Sequence, residues 1–206
     1  MIVSEFHPAI PPAEVLIVGT GPCGTTLAVE LARKGVQVLL MDSGKAGFDS
    51  RQQALGDAEG CDGKVHAPMS LSTRRQLGGA SIIWGGRCVP FDPVDLELRP
   101  FIAGAEWPIT WDEVERHHEK TCQYFFCGRN VFDAKDLAHI KQKEMVPGFQ
   151  VGDFTSSALE RWSLPTNFWK EYGQEIKTSP NIRLVEGVTV REIDFIEDGR
   201  RAVGIL

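Results

Sequence analysis

The sequence predicts an α/β fold with a central parallel sheet, followed near its end by an antiparallel β-meander. Residues 15–18 are an uninterrupted apolar run, which is the pattern of a strand buried on both faces of a sheet. Residues 25–34 follow with apolar side chains at helical spacing, and residues 36–41 are again apolar except for Gln37. Strand, helix and strand in this order form the unit from which parallel sheets are built. Residues 188–196 alternate apolar and polar side chains, as in a strand with one solvated face.

Three glycines connect the first predicted strand to the first predicted helix. Gly19, Gly21 and Gly24 have the G-x-G-x-x-G spacing. The first permits a tight turn, the second lets the backbone approach a pyrophosphate, and the third lets the helix pack closely on the strand. Asp42 and Ser43 follow the second strand, and an acid near this distance binds the ribose hydroxyls of a dinucleotide. Together these features predict a Rossmann-like dinucleotide-binding fold, whereas the glycine spacing alone also occurs in ordinary turns.

Composition and charge exclude several classes of protein. The chain of 206 residues has a net charge of -6, which leaves no basic stripe for nucleic acid. No apolar run approaches the roughly 20 residues that a membrane-spanning helix needs. Residues 1–13 lack the basic start and long apolar core of a secretory signal, and they are predicted to form a flexible arm. Residues 14–206 are predicted to form one nucleotide-binding region.

The cysteines indicate a reducing compartment and no metal site. Their number, five, is odd and they are scattered, unlike a disulfide framework, which favours a cytoplasmic protein. Cys122 and Cys127 lack the two-residue gap of common zinc pairs, and no second pair would complete four ligands. His118 lies one helical turn before Cys122, but a third ligand is missing from the sequence pattern. We therefore expect no bound metal.

A second glycine-rich stretch follows residues 45–72, a polar segment that is predicted to be loop. The small residues from Gly78 and Gly79 to Ser81 would let main-chain N–H groups and the Ser81 hydroxyl reach phosphate or ring oxygens. Trp84 is placed to pack on an aromatic plane of a ligand. The same composition also suits a glycine-rich turn beside a core tryptophan, so this stretch alone leaves both roles open.

Two segments resemble a known family. Residues 78–86, Gly-Gly-Ala-Ser-Ile-Ile-Trp-Gly-Gly, and residues 107–111, Trp-Pro-Ile-Thr-Trp, resemble the flavin-proximal segment of glucose-methanol-choline oxidoreductases. The most similar branch includes pyranose oxidases and bacterial sugar and polyol dehydrogenases, and the resemblance runs from about residue 15 to the end of the chain. Several members carry a histidine where Ile83 stands, and in some it is bonded to the flavin. The resemblance therefore implies FAD as a non-covalent cofactor.

The resemblance implies a cofactor contact for ten residues: Gly19, Gly21, Gly24, Asp42, Ser43, Gly78, Gly79, Ser81, Trp84 and Val190. The residues of the first turn and the acid would hold the ADP half of FAD, and those of the second stretch would lie along the pyrophosphate and flavin. The residue matching Val190 contacts adenine through its backbone. The reaction implied is oxidation of the CH-OH group of an alcohol, a sugar or polyol, by hydride transfer to flavin N5.

No catalytic residue is assigned. His66, His117, His118 and His139 lie outside any stretch that resembles the family's catalytic segment, and adjacent histidines on a helix point about 100° apart. The electron acceptor is left open. Family members are also more than twice as long, so the chain is expected to be the N-terminal part of a larger enzyme, a truncated gene product, or one half of a split protein that a C-terminal partner chain would complement.

Capping signals predict two further helices and a hairpin. Thr110 and Glu113 form a capping box before a helix over residues 111–127 that ends at Gly128. Thr166 and Asn167 precede a helix over residues 168–177 that Ser179 and Pro180 end. The strands predicted after it are residues 182–185, 188–196 and the segment from residue 202, with a hairpin turn at residues 197–200.

Two other functions fit parts of the sequence. A non-catalytic FAD- or ADP-binding module, stable only beside a partner that completes the sheet, would explain a last strand that has barely begun at the end of the chain. An NAD(P)-dependent reductase would explain the first glycine turn. It would leave residues 78–86 without a role.

Overall fold

The computed structural model describes residues 2–3, 13–57, 62–105, 107–149, 151–152, 154–164 and 166–206. The chain divides into two compact units, and the first unit comprises Met1–Trp84 and Asn167–Leu206. The second unit is Gly85–Thr166, so the predicted region 14–206 contains two units. Most of the predicted arm over residues 1–13 lies outside the described residues, as does Cys61.

The secondary-structure elements are short. The strands, in chain order, are β1 (Ile2–Val3), β2 (Val15–Val18), β3 (Val38–Asp42), β4 (Arg87–Cys88), β5 (Arg161–Trp162), β6 (Ile182–Glu186), β7 (Ile193–Ile196) and β8 (Arg201–Ile205). The helices are α1 (Pro22–Arg33), α2 (Ser50–Ala54), α3 (Met69–Ser72), α4 (Pro93–Leu96), α5 (Trp111–Glu115), α6 (His118–Tyr124) and α7 (Phe168–Thr178). Short 3-10 turns cover Gly79–Ile82 and Ala134–Asp136.

The first unit contains the predicted parallel sheet, and the predicted α/β class is thereby confirmed. Its strands are all parallel in the order β1-β6-β3-β2. Helices α1 and α7 contact each other and β6. The wholly buried side chains of the sheet and these helices include Val29, Leu40, Phe168, Ile176 and Leu184. Burial of apolar side chains between sheet and helices supplies the main driving force for this arrangement.

Helix α1 begins three residues before the predicted start at residue 25. Pro22 occupies the first helical turn, where its missing N–H would have had no intrahelical partner. Gly35 has φ +86°, and its N–H donates to the carbonyl of Ala32 at 3.0 Å. The predicted glycine cap at this end is therefore confirmed.

The segment over residues 45–72 was predicted to be loop, and this is wrong at two places. Helix α2 forms because the Asp49 carboxylate accepts from the N–H of Arg51 at 2.8 Å and of Gln52 at 3.4 Å. Helix α3 follows Pro68 and is a single turn. Neither helix is long enough to show a periodic apolar stripe, so the sequence pattern misses both.

The second unit contains an antiparallel pair, β4 with β5, and helices α4 to α6. The predicted helix over residues 111–127 is instead two helices, α5 and α6, separated by a turn at Arg116 and His117. His117 donates to Val114 with three-residue spacing, which tightens the chain at this point. Phe126 has φ +50°, so the helical run ends before Gly128. The capping box of Thr110 and Glu113 is present as predicted.

The C-terminal strands form a two-stranded hairpin, β7 with β8, in the first unit. The hairpin turn lies where it was predicted, and Glu197, Asp198 and Gly199 all have positive φ. The strand predicted over residues 188–196 forms only from Ile193. Val188 still donates its N–H to the carbonyl of Asp42 at the end of β3, at 3.0 Å, and residues 189–192 then connect β6 to the hairpin without forming a strand. Among the described residues, no helix combines the length and apolarity of a membrane-spanning segment.

Candidate functional site

The first glycine turn, residues 19–24, leads from the carboxyl end of β2 into α1. Gly19 has φ +98°, a left-handed conformation that favours glycine, and its N–H donates to the carbonyl of Met41 at 2.7 Å. A Cβ built on Gly19 or Gly21 would meet no atom within 4 Å, so both positions face open space. Gly21 is the N-cap of α1, and the first-turn N–H groups of a helix lack intrahelical acceptors and suit an anion.

The third glycine of the motif has a packing role. A Cβ built on Gly24 would lie 1.9 Å from the carbonyl oxygen of Gly19 and 3.4 Å from Cγ2 of Ile17. No side chain fits this gap, so Gly24 permits the close approach of α1 to β2 that its spacing predicts. Gly24 therefore faces the protein, whereas Gly19 and Gly21 face open space.

Asp42 ends β3 beside the first turn, and its side chain is buried, with 7% of the residue exposed. Its Oδ2 accepts from the Thr20 N–H at 2.7 Å and from the Thr20 hydroxyl at 2.6 Å. Its Oδ1 accepts from the N–H of Gly44 at 2.7 Å. The acid that the sequence assigns to a ribose therefore also holds the glycine turn in place.

The second glycine turn lies directly against the first. Gly78 and Gly79 have φ +98° and +55°, and the Gly78 N–H donates to the Thr20 hydroxyl at 3.0 Å. A Cβ built on Gly79 would lie 3.0 Å from the Cα of Gly21. The two stretches, some sixty residues apart in sequence, therefore meet at one place, which is the arrangement the predicted cofactor site requires.

Ser81 stabilises this second turn through hydrogen bonds of its buried hydroxyl. It is 3% exposed, and its hydroxyl donates to the carbonyl of Gly78 at 2.6 Å and accepts from the N–H of Phe168 at 3.1 Å. This hydroxyl thus links the turn to the start of α7. Trp84 donates its backbone N–H to Ala80 at 3.1 Å. A contact of either residue with the flavin stays a prediction.

A cleft of about 310 Å³ opens beside the two turns. Six of the predicted cofactor residues line it: Gly19, Gly21, Asp42, Ser43, Gly79 and Val190. The other four, Gly24, Gly78, Ser81 and Trp84, are not among its lining residues. The lining that the sequence did not predict comprises Val18, Arg74, Arg75, Val188 and Thr189. The cleft therefore brings together the carboxyl ends of β2 and β3, the second turn and the segment after β6.

Arg74 and Arg75 give the cleft positive charge. The Nε of Arg74 and the Nη1 of Arg75 are buried and have no hydrogen-bond partner among the described residues. The Arg74 guanidinium also lies over the ring of Phe48, with 4.8 Å to the ring centroid. Buried donors without partners suit an anionic ligand, because guanidinium groups bind phosphate strongly. The sequence signal was the arginine pair three residues before the second turn.

The cleft fits a pyrophosphate joined to a ribose. It offers open space at Gly19 and Gly21, guanidinium nitrogens without a partner among the described residues, and the carboxylate of Asp42. Gly19 and Gly79 use their N–H groups within the chain, the latter to the carbonyl of Gln76 at 2.8 Å. Gly19 therefore offers close approach and not a donor, Gly79 makes room for the backbone of Gly21, and the donors come from the start of α1 and the arginines.

The histidines lie elsewhere. Among the described residues, none of them lines the cleft. His66 is exposed, with its Nδ1 2.6 Å from the carbonyl of Ala67, and the His118 ring packs edge-on against Trp111 at 5.3 Å. His117 and His139 are exposed. None of the four is assigned a catalytic role.

Three cysteines lie together in the second unit. Burial raises the pKa of Cys122 to about 12 and also raises the pKa of Cys88, with the neighbouring Cys127 adding to both shifts. Cys122 and Cys127 are buried. The thiols of Cys88 and Cys122 are therefore protonated at neutral pH and are poor nucleophiles. Within the part of the chain that the structure describes, no group of three His, Cys, Asp or Glu side chains could hold a metal ion.

Comparison with protein families identifies the cofactor. Residues 12–55 match the model of a family described as an FAD binding domain. The matched segment contains the first glycine turn and Asp42, so the predicted cofactor, FAD, is confirmed. No curated protein matches the chain in a sequence search.

Comparison with solved structures supports the fold. The chain is similar to the crystal structure of pyridoxine 4-oxidase from Mesorbium loti, with a TM-score of 0.55 and 15% sequence identity. The match covers 95% of this chain and 48% of the oxidase chain, so the chain spans about half the length of that protein. The predicted Rossmann-like FAD-binding fold is thereby confirmed.

Proposed function

We propose that the chain is the FAD-binding part of an FAD-dependent oxidoreductase of the glucose-methanol-choline type, which oxidises the CH-OH group of a sugar or polyol. The observation that carries this proposal is the cleft at which the two glycine turns meet, because its first turn and Asp42 lie within residues 12–55, the segment that matches an FAD binding domain. The substrate class comes from the resemblance of residues 78–86 and 107–111. The similar oxidase acts, by its name, on pyridoxine, which is also an alcohol.

The cleft residues divide the work of holding FAD. Arg74, Arg75 and the start of α1 would take the pyrophosphate, since they supply positive charge and donors. Asp42 would accept a ribose hydroxyl through its Oδ1. Val190 and its neighbours after β6 would form the wall beside the adenine.

Bound FAD would supply the hydride acceptor for oxidation of the alcohol. The contribution of this chain would be to orient the cofactor and to shield its pyrophosphate from water. The proton of the alcohol would pass to a base outside the described histidines, none of which lines the cleft. We would look for this base in a part corresponding to the half of the similar oxidase that this chain does not match.

Cofactor binding and turnover test the proposal separately. The purified chain is titrated with FAD while flavin fluorescence and visible absorbance are followed, and it is then assayed for dye reduction with sugars, polyols and pyridoxine. Saturable FAD binding is expected, and alcohol-dependent dye reduction would establish the reaction. A chain that stays colourless and does not bind FAD would contradict the proposal. Oxygen consumption beside dye reduction identifies the electron acceptor.

A second candidate function is a non-catalytic FAD-binding module that a partner chain completes. It is favoured by β2, which has β3 as its one neighbouring strand in the described sheet. Leu16 and Val18 on this edge strand are 39% and 55% exposed. An apolar strand at a sheet edge invites pairing with a further strand. FAD binding without turnover, with turnover restored by a co-expressed chain covering the other half of the fold, would favour this candidate.

The third candidate, an NAD(P)-dependent reductase, makes a different prediction. It requires the cleft to take a nicotinamide dinucleotide, and it leaves the second glycine turn without a ligand role. Competition between FAD and NADH or NADPH for the purified chain separates the two. Displacement of FAD by either nicotinamide nucleotide at comparable concentration would favour the reductase.

A further inference from the structure

Thr20 stands between the first two glycines of the motif and is wholly buried, with 0% of the residue exposed. It is not among the residues that line the cleft. Every polar group of the residue is nevertheless used. Its N–H and its hydroxyl both donate to Asp42 Oδ2, and its carbonyl accepts from the Thr25 hydroxyl at 2.8 Å.

The hydroxyl of Thr20 makes two hydrogen bonds in opposite senses. It donates to Asp42 Oδ2 at 2.6 Å and accepts from the Gly78 N–H at 3.0 Å. A side-chain hydroxyl can do both at once, whereas a methyl group of the same size can do neither. One atom therefore joins the acid at the end of β3 to the second glycine turn.

The hydroxyl also takes up an acceptor position on one oxygen of Asp42. Oδ2 accepts two hydrogen bonds, both from Thr20, and so has no lone pair left. Oδ1 accepts one, from Gly44, and keeps one acceptor position. Because both acceptor positions of Oδ2 are used, Oδ1 is the oxygen of Asp42 that can still accept a hydrogen bond from a ligand hydroxyl.

We infer that Thr20 is a positioning residue for the cofactor: its hydroxyl holds the Asp42 carboxylate and the Gly78–Gly79 turn in the one geometry that accepts FAD. This inference rests on the proposed function, because FAD is taken as the ligand of the cleft. Without the hydroxyl, the Gly78 N–H is buried without a partner, Asp42 Oδ2 keeps only the Thr20 N–H, and the second turn loses this bond to the first. Binding would then have to restore the arrangement at the expense of affinity.

The test compares substitutions at two buried threonines, Thr20 in the first glycine turn and Thr25 in the first part of α1. Thr20→Val removes the bridging hydroxyl but keeps the shape, and Thr20→Ser keeps the hydroxyl. Thr25→Val is the matched control, because Thr25 is 1% exposed and its hydroxyl bonds to the Thr20 carbonyl without touching Asp42 or Gly78. For each variant, the FAD dissociation constant is measured by fluorescence titration and the midpoint of thermal unfolding is measured without FAD.

We expect Thr20→Val to weaken FAD binding by about tenfold, since the buried Gly78 N–H loses its partner and the charged Asp42 Oδ2 loses one of its two donors. Thr20→Ser should restore the affinity to within about threefold of the wild type, because a serine hydroxyl makes both bonds. Thr25→Val should lower the unfolding midpoint while leaving the affinity within about threefold, because it orphans one carbonyl away from the cleft.

Equal FAD affinity of Thr20→Val and the wild type, with an unfolding midpoint lowered as in Thr25→Val, would overturn the inference and leave Thr20 a structural residue. If Thr20→Val does not fold, Thr20→Cys replaces it, since a thiol is a weak donor and acceptor of similar size. Affinity of Thr20→Cys equal to that of Thr20→Ser would likewise overturn it. Failure of the wild-type chain to bind FAD would instead contradict the proposed function.

Discussion

The two glycine turns use the same amino acid for opposite purposes. At the first turn, Gly19 and Gly21 face open space, and a side chain there would enter the volume of a ligand. At the second turn, Gly78 and Gly79 face other parts of the chain. A Cβ on Gly78 would lie 3.1 Å from the Cβ of Trp169, and one on Gly79 would lie 3.0 Å from the Cα of Gly21. Glycine leaves open space beside the cleft in one turn and permits close packing of the protein in the other.

This difference separates two kinds of damage. A substitution that fills ligand space should weaken binding while the fold persists, and a substitution that fills protein space should weaken the fold. Gly24 lies within the first turn but belongs to the second kind, because its neighbours are Gly19 and Ile17. The relevant comparison is therefore between positions that face open space and positions that face protein atoms. Four substitutions test it.

The largest effect is expected for Gly24→Ala. The added Cβ would lie 1.9 Å from the carbonyl oxygen of Gly19, so α1 must move away from β2. We expect the free energy of unfolding to fall by about 3 kcal/mol, the upper range for overpacking at a rigid site. Urea unfolding followed by circular dichroism measures it. Gly47→Ala is the control, because a Cβ there meets nothing within 4 Å. Equal stability of the two variants would contradict the packing role.

Gly21→Ala should show the opposite pattern. Its Cβ meets no protein atom within 4 Å, so the free energy of unfolding should change by less than about 1 kcal/mol, the size of an N-cap effect. The methyl group would stand in the space of the pyrophosphate, and FAD affinity should fall by about tenfold or more. Fluorescence titration and urea unfolding on the same sample separate the two quantities. Wild-type affinity would show that the ligand lies elsewhere.

Ser81→Ala tests the support of the second turn. The hydroxyl bridges the Gly78 carbonyl and the Phe168 N–H, and its loss should cost about 1–2 kcal/mol of unfolding free energy. If the hydroxyl acts only as this bridge, the FAD affinity of the folded variant should change by less than about threefold. A larger loss of affinity with little loss of stability would favour the direct cofactor contact predicted from the sequence.

The smallest effect is expected for Arg75→Gln. Removing one cation from the cleft should weaken FAD binding by about three- to tenfold and make the affinity less sensitive to salt. The affinity for adenosine, which carries no phosphate, should change less than that for ADP. Arg51→Gln, in the exposed part of α2, is the control. An unchanged ratio of ADP to adenosine affinity would place the phosphates away from this arginine.

Local patterns predicted much of the first unit. The apolar runs of β2, β3 and β6, the glycine spacing and the Asn167 cap of α7 each involve residues a few positions apart. The Asn167 side chain accepts from the Lys170 N–H at 3.1 Å, as its sequence position predicts. Short-range rules apply to such elements because their hydrogen bonds close within one turn or one strand pair.

What the sequence did not reveal depends on contacts across the chain. Thr20 bonds to a residue 22 positions away and to another 58 positions away, and Ser81 bonds to a residue 87 positions away. The spacing rule treats the residue between two glycines as arbitrary, so nothing singles out Thr20. Arg74 and Arg75 likewise have no role assigned from the sequence, and the fold brings them to the cleft.

Helix α7 has a consequence for how the site is held. Its first N–H is tied to Ser81 under the second turn, and the chain leaves its far end at Ser179 to run through β6 into residues 188–190. One continuous piece of chain therefore carries two sides of the cleft. Because β6 stays paired with β3, protein cut between Ser179 and Asn181 should retain its sheet and helices, and any loss of its FAD affinity would measure what this covalent link adds to the cleft.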